Sequence, residues 1–441
     1  MSTPEASTST PLAAPSAAGH ADPHPDGDGT AHSSSASAHL DERPVSPGRP
    51  RMRICVIDIG SNSVRLVIAD CRATPAAERR AKASETADSK LAEPAATTAE
   101  TKPRKAERRR IKHRLTDVEY SVVADEKATT RLASGLDSTG RLDLGAMEQS
   151  ARAIAEMVKL AESFGIRAEQ IRAVATCAVR EADNSEEFLE LVRRWAGVKV
   201  KVISAKREAK LAFASARAAF DLARGLPREQ ATDHAPPTAA GGAAVVDIGG
   251  GSTEVILTGE KKKAGRIKRV FLLPIGAVRA TERFGGPEVA GAERHAELMA
   301  FMRRMVTKRI WELGGKPRVL VGTGGTINSL GQMLLLAGII EPGSDRPGIA
   351  ARDRVQASAI TFDQVESAML HLRSLDAQTR QLVPGLGRER ADLIIGGLAI
   401  LLAVMERLGK PTLLVHLGGI RDGLIRRVAA KTLDEQVGGD E

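Results

Sequence analysis

Val56-Ile57-Asp58-Ile59-Gly60-Ser61-Asn62-Ser63 and Val245-Val246-Asp247-Ile248-Gly249-Gly250-Gly251-Ser252-Thr253-Glu254 lie far apart in one chain and follow the same order. Each is an apolar run of strand type, then an aspartate, then a tight turn of glycine and small hydroxyl residues. The strand fixes the backbone. The aspartate at its end can orient a metal or its waters, and glycine lets bare N–H groups approach a phosphate with no Cβ in the way. A single D-x-G-S is more often an ordinary β-turn. Its repetition predicts two half-sites that face each other across a cleft and grip a phosphorylated ligand from both sides. The chain returns as a strand after each turn (64–69 and 255–257), so each is a hairpin-type phosphate loop. There is no G-x-x-x-x-G-K-[ST], and no G-x-G-x-x-G opens a helix in a βαβ unit.

Outward from these loops, strand and helix patterns alternate. Strands are expected at 54–59, 64–69, 120–123, 171–176 and 198–203, and helices at 144–164, 185–195 and 206–222. A second half repeats the plan, with a hairpin over 243–257, strands at 269–274 and 318–321, and mostly helix afterwards. Two α/β halves, each opening with a phosphate hairpin, predict the two-domain actin, hsp70 and hexokinase-like (ribonuclease H-like) duplicated fold, with an interdomain cleft. Residues 1–50 form a Ser-, Ala- and Pro-rich stretch without apolar periodicity and are expected to be a disordered tail. The first domain is expected over 51–212, interrupted by a charged insertion at 74–114, and the second over 213–422.

The chain has 441 residues, a formal charge of +9 and only 2% aromatic residues, so its core must be built from Leu, Ile, Val and Ala. The tail holds six acids against two arginines, which leaves the body more basic than the whole. A basic body raises the local concentration of polyanions such as polyphosphate, nucleotides or nucleic acid. The insertion ends in a basic cluster from Lys102 to Arg114. It reads either as a solvated excursion or as an electrostatic arm that recruits a polyanionic substrate or nucleic acid. No aromatic residue is interleaved in it, which argues against base stacking. Cys55, Cys71 and Cys177 show no C-x-x-C spacing and fit free thiols in a reducing cytoplasm. The longest apolar run, 394–405, is too short for a bilayer, and no apolar signal segment follows the N-terminus, so no membrane contact is expected.

Cleaving a phosphoanhydride requires screening phosphate charge, placing a water in line and orienting or deprotonating it. Gly60, Ser61, Asn62 and Ser63, with Gly249, Gly250, Gly251, Ser252 and Thr253, supply candidate phosphate donors. Asp58 and Asp247 could hold Mg2+ through one or two oxygens plus waters. A third turn, Gly322-Thr323-Gly324-Gly325-Thr326, opens a helix after a strand, so Gly324, Gly325 and Thr326 form a further anion candidate beside the plain alternative of a close strand-to-helix turn. Arg180 follows a strand end and could fork onto phosphate. Glu208 lies in the first turns of a helix with Ser204 as N-cap, where the helix dipole favours its ionised form.

Together these segments resemble the exopolyphosphatase / guanosine pentaphosphate phosphohydrolase family, over about 52–424. The two hairpins are similar to its two phosphate loops, and 175–184, centred on Arg180, to its phosphate-binding arginine motif. The stretches 273–279 and 384–392 are also family-like. The resemblance implies a catalytic base within an I-S-G-x-E-E-A-x-L type motif. Here the run is Ile203-Ser204-Ala205-Lys206-Arg207-Glu208-Ala209-Lys210-Leu211, which puts Glu208 on the base position. Ala205 replaces the usual Gly, and a positive φ there would cost around 1 kcal/mol. Arg207 replaces an acid, in the sense that favours a longer or more charged substrate. The resemblance further implies Mg2+ as cofactor, Glu254 assisting or holding metal, a homodimer in many members, and a last helix (423–433) returning to the first domain. The expected function is Mg2+-dependent release of terminal phosphate from inorganic polyphosphate. The alternatives are 5′-phosphate removal from guanosine pentaphosphate, a kinase of the same superfold, and a non-catalytic sensor of polyphosphate or an alarmone.

Overall fold

A computed structural model describes residues 52–75, 117–222, 226–227, 242–260, 265–284, 292–313, 315–344 and 350–436. The tail, the insertion beyond residue 75 and most of the loop 225–242 lie outside the described residues. Two mixed sheets, each coated with helices, make a two-lobed α/β fold.

The first sheet holds β1 (Met52–Ile59), β2 (Ser63–Ala73), β3 (Val118–Thr129), β4 (Arg172–Ala175) and β5 (Val200–Val202), in the order β3-β2-β1-β4-β5. The second holds β6 (Ala243–Ile248), β7 (Thr253–Thr258), β8 (Ile267–Leu273), β9 (Val319–Thr323), β10 (Ala359–Thr361) and β11 (Thr412–Val415), in the order β8-β7-β6-β9-β11-β10. In both sheets an antiparallel hairpin continues into parallel strands. The helices that matter here are α1 (Leu144–Ser163), α2 (Cys177–Glu181), α3 (Ser185–Ala196), α4 (Ala205–Ala219), α5 (Ala277–Arg283), α6 (Ala292–Arg309), α7 (Gly325–Leu336), α8 (Phe362–Ser374), α9 (Ile394–Leu408) and α10 (Ile420–Gln436).

Strand alternation sends side chains to opposite faces, and each sheet buries both. Ile57, Ile59, Leu66 and Ile68 pack with Ile154, Val158, Phe188 and Val192 of α1 and α3. Val56, Val67 and Val174 pack on the other side with Leu211 of α4 and Ile425 and Ala429 of α10. The second sheet sets Val246, Ile248 and Val255 against Met302 of α6 and Leu398 and Leu402 of α9. Its opposite face sets Val245, Ile256 and Val321 against Ala209, Phe213 and Ala216 of α4.

Helix α4 therefore contributes to the cores of both lobes. Its small Ala residues let it approach two surfaces at once. Burying a Leu or Phe is worth roughly 1.5–3 kcal/mol each, so Leu211 and Phe213 fix the position of its first turn, which carries Glu208. Ser204 caps that turn by accepting from Arg207 N–H at 3.3 Å. Ala205 is the first helical residue, and among the described non-glycine residues only Arg131 and Ala357 have positive φ. The turn needs no glycine, so the replacement carries no strain.

Two features differ from the sequence expectation. Strand β3 runs for twelve residues; its charged tail (Asp125, Glu126, Lys127) hides the alternation, as edge strands often do. Strands β10 and β11 lie in the stretch expected to be mostly helix. Four residues of apolar run, Thr412–Val415, carry no period that separates strand from helix. The run 394–405 is buried throughout as part of α9. Among the described residues no helix is long and apolar enough to cross a membrane.

Candidate active site

The two hairpin turns close by the same bond. Gly60 N–H donates to Ser63 O, and Gly249 N–H to Ser252 O, each at 3.0 Å. The turns face each other and touch. A Cβ placed on Gly251 would lie 2.7 Å from Ser61 Oγ and 2.9 Å from Cys177 Sγ. The first turn thus presents a side chain where the second presents bare backbone. Carbonyls of Ser61 and Asn62 accept from Ala133, Thr130 and Arg131 N–H, which holds the first turn to the chain leaving β3. Both polar ends of the Asn62 amide are sealed from solvent and unpartnered, an arrangement native interiors rarely keep without a ligand or water. In the second turn the hydroxyls are engaged: Thr253 donates to Ile275 O and Ser252 to Glu254 Oε1, each at 2.8 Å.

Four carboxylates converge between the turns. Glu208 is buried and accepts from Arg180, whose Nη1 also donates to Ile203 O at 2.8 Å. Burial raises the Glu208 carboxyl to about 7, against the pull of Arg180 and with a further push from Asp58. Asp247 is also raised to about 7, by burial first and then by Glu208 and Asp58. Glu254 stands directly opposite Asp247 in the hairpin register; burial, Glu208 and Asp247 raise it well above the usual range. Asp58 is raised by burial, and its Oδ1 is sealed from solvent without a partner.

Carboxyls that oppose one another's ionisation, one with an orphaned oxygen, are a donor set that fits a hard dication. Among the described residues no three His, Cys, Asp or Glu side chains close into a ligand cluster. Mg2+ does not require one, because it keeps several waters and takes one or two carboxylates. Asp58 and Asp247 therefore fit Mg2+ by chemistry.

The third turn abuts the second aspartate. Gly324 has φ +100°, and a Cβ there would fall 2.9 Å from Asp247 Oδ1, so only glycine suits the position. Gly325 begins α7 beneath the guanidinium of Arg390. Thr326 is buried with its side chain against Gly397 of α9.

Sequence reasoning assigned no role to Arg279, which is buried at the start of α5. It donates to Glu181 Oε2 at 2.7 Å, contacts Asp137 Oδ1 at 3.0 Å and reaches Gly251 O at 3.4 Å, tying the second turn to α2. The signal available was a lone Arg in a helix-opening Leu273–Arg279 stretch. Arg65 was also missed; it stands opposite Asp58, in the position Glu254 occupies opposite Asp247. Cys177 donates to Glu181 at 3.2 Å, and burial pushes its thiol up to about 12, which excludes it as a thiolate nucleophile at neutral pH.

A sequence model of the Ppx/GppA phosphatase family matches residues 112–227 and 234–432. Exopolyphosphatase 1 of Mycobacterium leprae (strain TN) is 28% identical over 307 residues, spanning 69% of this chain and 81% of its own length. The crystal structure of the Aquifex aeolicus Ppx/GppA family member aligns with a TM-score of 0.58 at 26% identity, covering 87% of this chain and 99% of that one. A crystal structure of an exopolyphosphatase from Cytophaga hutchinsonii shares the fold, with a TM-score of 0.63 at 18% identity over 86% of this chain and 98% of that one.

Proposed function

This chain belongs to the Ppx/GppA phosphatase family, and from that premise we propose that it is a Mg2+-dependent exopolyphosphatase, releasing terminal phosphate from inorganic polyphosphate. The observation that carries the proposal is a buried Glu208, raised toward neutrality, between two phosphate turns that touch. A base for water works best with its pKa near the working pH.

In this reading the terminal phosphoryl group lies between the turns, held by N–H groups of residues 61–63 and 250–253, by the Asn62 amide and by Arg180. The N–H groups of Gly324, Gly325 and Thr326 add positive potential from the third turn. Glu208 orients the attacking water and takes its proton, and Arg180 keeps that carboxylate aimed. Glu254 assists by holding the water network through Ser252. A bound Mg2+, held by Asp58 and Asp247, would draw charge from the phosphoryl oxygens. We further read the two lobes as a duplicated actin-like (ribonuclease H-like) fold, with domains over 51–212 and 213–422 and the last helix over 423–433 returned to the first. The contacts of α10 with β1, β2 and α4 support that reading. We place the protein in the cytoplasm and expect a homodimer.

Phosphate release from polyphosphate with Mg2+, for wild type and Glu208→Gln, tests the proposal. Release abolished by the substitution supports it. Tight binding without release in the wild type would instead mark a sensor, and faster release from guanosine pentaphosphate than from polyphosphate would reassign the substrate. ADP formed from ATP only with a small acceptor would mark a kinase.

A further inference from the structure

Five side chains of alternating charge lead from the contact between the lobes to Glu208. Arg279, in the first turn of α5, is buried and makes three contacts: to Glu181 Oε2 at 2.7 Å, to Asp137 Oδ1 at 3.0 Å and to Gly251 O at 3.4 Å. The other oxygen of Glu181, Oε1, accepts from Cys177 at 3.2 Å and lies 3.8 Å from Nη2 of Arg180. Arg180 in turn donates through Nη1 to Glu208 and to Ile203 O. The file reads Asp137, Arg279, Glu181, Arg180, Glu208, and only Arg279 comes from the second lobe.

That arginine is tied to the second turn. The N–H groups of Ala277 and Val278 donate to Gly249 O and Gly250 O, each at 2.9 Å, so α5 opens on the turn's own carbonyls. Ala277 and Val278 are buried in the core of the first lobe, and Glu282, further along α5, accepts from Gly135 N–H at 3.1 Å. Helix α2, by contrast, has five residues and little hold of its own. Its last residue, Glu181, sits beside Arg180 and competes with Glu208 for that guanidinium. Against burial, Arg279 and Cys177 hold the Glu181 carboxyl below its usual range, while burial raises Glu208. Glu181 is thus the more readily ionised of the two carboxyls that flank Arg180, and an ionised acceptor is the stronger partner.

We propose that Arg279 is a positioning residue for the base: by occupying Glu181 it leaves Arg180 to Glu208, and so ties the aim of the base to the seating of the second turn on the first. The proposal rests on the reading of Glu208 as base and deepens it. Arg279 and Cys177 give each oxygen of Glu181 a donor, which removes its need for Arg180. Asp137 takes another edge of the Arg279 guanidinium, as a buried cation requires. The second turn then acts twice, through its own N–H groups and through the arginine of the helix it opens.

The test is steady-state phosphate release by the full chain in a double-mutant cycle on Arg279 and Glu181. Arg279→Gln frees Glu181 and is expected to lower kcat about tenfold. Glu181→Gln alone removes the competitor and should stay within about threefold of wild type, and adding it to Arg279→Gln should bring kcat back to within about threefold. A merely structural ion pair behaves otherwise: breaking it from either side costs the same, and the second substitution restores nothing. Equal losses in the two single variants, a double variant no faster than Arg279→Gln, or an unchanged kcat in Arg279→Gln would overturn the proposal. Should Arg279→Gln fail to fold, Cys177→Ala uncovers the Glu181 oxygen nearest Arg180 with the arginine still in place. Its kcat should fall about threefold and return with Glu181→Gln, and no fall overturns the proposal. A crystal structure of whichever variant folds separates this proposal from the hydrolase reading. Arg180 turned from Glu208 onto Glu181 supports it even where the wild type releases no phosphate, a result that sinks the hydrolase reading alone. Arg180 still on Glu208 overturns it.

Discussion

The two hairpins share a backbone and differ in charge. Each ends its first strand in aspartate, and each turn closes by a glycine N–H to a serine carbonyl. Opposite that aspartate, however, the first hairpin carries Arg65 and the second carries Glu254. Position by position, Ser61 and Asn62 of the first turn correspond to Gly250 and Gly251 of the second. One half therefore offers cations and side-chain donors, while the other offers carboxylates and bare backbone. A repeated frame can hold a symmetric group, a phosphate with two faces, and still treat its two sides differently. The first half suits the anionic chain, and the second suits the water and the cation that screen it.

The largest expected effect falls on the group between the halves. Glu208→Gln keeps the size and a hydrogen-bond partner for Arg180 but removes the base, so phosphate release should drop by about 10²–10⁴ with a small change in KM. A comparable loss in Arg180→Gln but with a raised KM would separate aiming the base from binding phosphate. Steady-state phosphate assays read both.

Next comes the pH dependence of stability without metal. Glu208 and Asp247 titrate at about 7 in the fold, above their values in the open chain. Their contribution is fully present below those open-chain values and is lost as pH rises through about 7. A tenfold difference in proton affinity between folded and open chain is worth about 1.4 kcal/mol. Glu208 alone then accounts for a loss on the order of 3 kcal/mol between about pH 4.5 and pH 8. Metal-free protein should melt at a lower temperature at pH 8 than at pH 5.5, and Mg2+ should reverse the difference, because Asp58 and the ionised Asp247 would hold it in the folded state only. Melting curves at the two pH values, with and without Mg2+, check this; a Tm that rises with pH in the metal-free protein contradicts it.

The hairpin asymmetry itself predicts opposite kinetic signatures. Glu254→Gln should lower kcat by about ten- to a hundredfold and leave KM nearly unchanged, while Arg65→Gln should raise KM about tenfold with less effect on kcat. Identical signatures would mean that the charge difference has no division of labour. The shape difference can be probed too. Gly251→Ala drives a Cβ into Ser61 Oγ and Cys177 Sγ and should cost about 1–3 kcal/mol. Adding Ser61→Gly should recover part of it, and denaturant unfolding of the four proteins gives the coupling.

Much of this site was legible in the chain because its decisive residues sit in repeated or capped local motifs. The aspartates, the glycine turns and Glu208 after Ser204 are fixed by neighbours a few positions away. Arg65 was not legible, because its significance comes from the strand register that sets it opposite Asp58, which local pattern does not encode. Arg279 escaped for the same reason: its partners Glu181 and Asp137 lie in the other lobe. Strand β11 was missed because a four-residue run has no period. Ala205 invited the opposite error, since a glycine-to-alanine replacement suggests strain only where φ is positive, and here it opens a helix.

Arg207 carries the smallest prediction and tests the orientation of α4. As a cation one residue before Glu208 it could be taken to favour longer or more highly charged substrates. In the fold it is half-buried, held below its usual range by burial and by Arg427 of α10. Successive helical residues point about a hundred degrees apart, so a neighbour in sequence need not share a surface. Arg207→Gln should therefore leave phosphate release and chain-length preference within about twofold, and should raise stability by a few tenths of a kcal/mol through relief of repulsion with Arg427. A change of more than tenfold in preference between tripolyphosphate and long chains would place Arg207 in the substrate path.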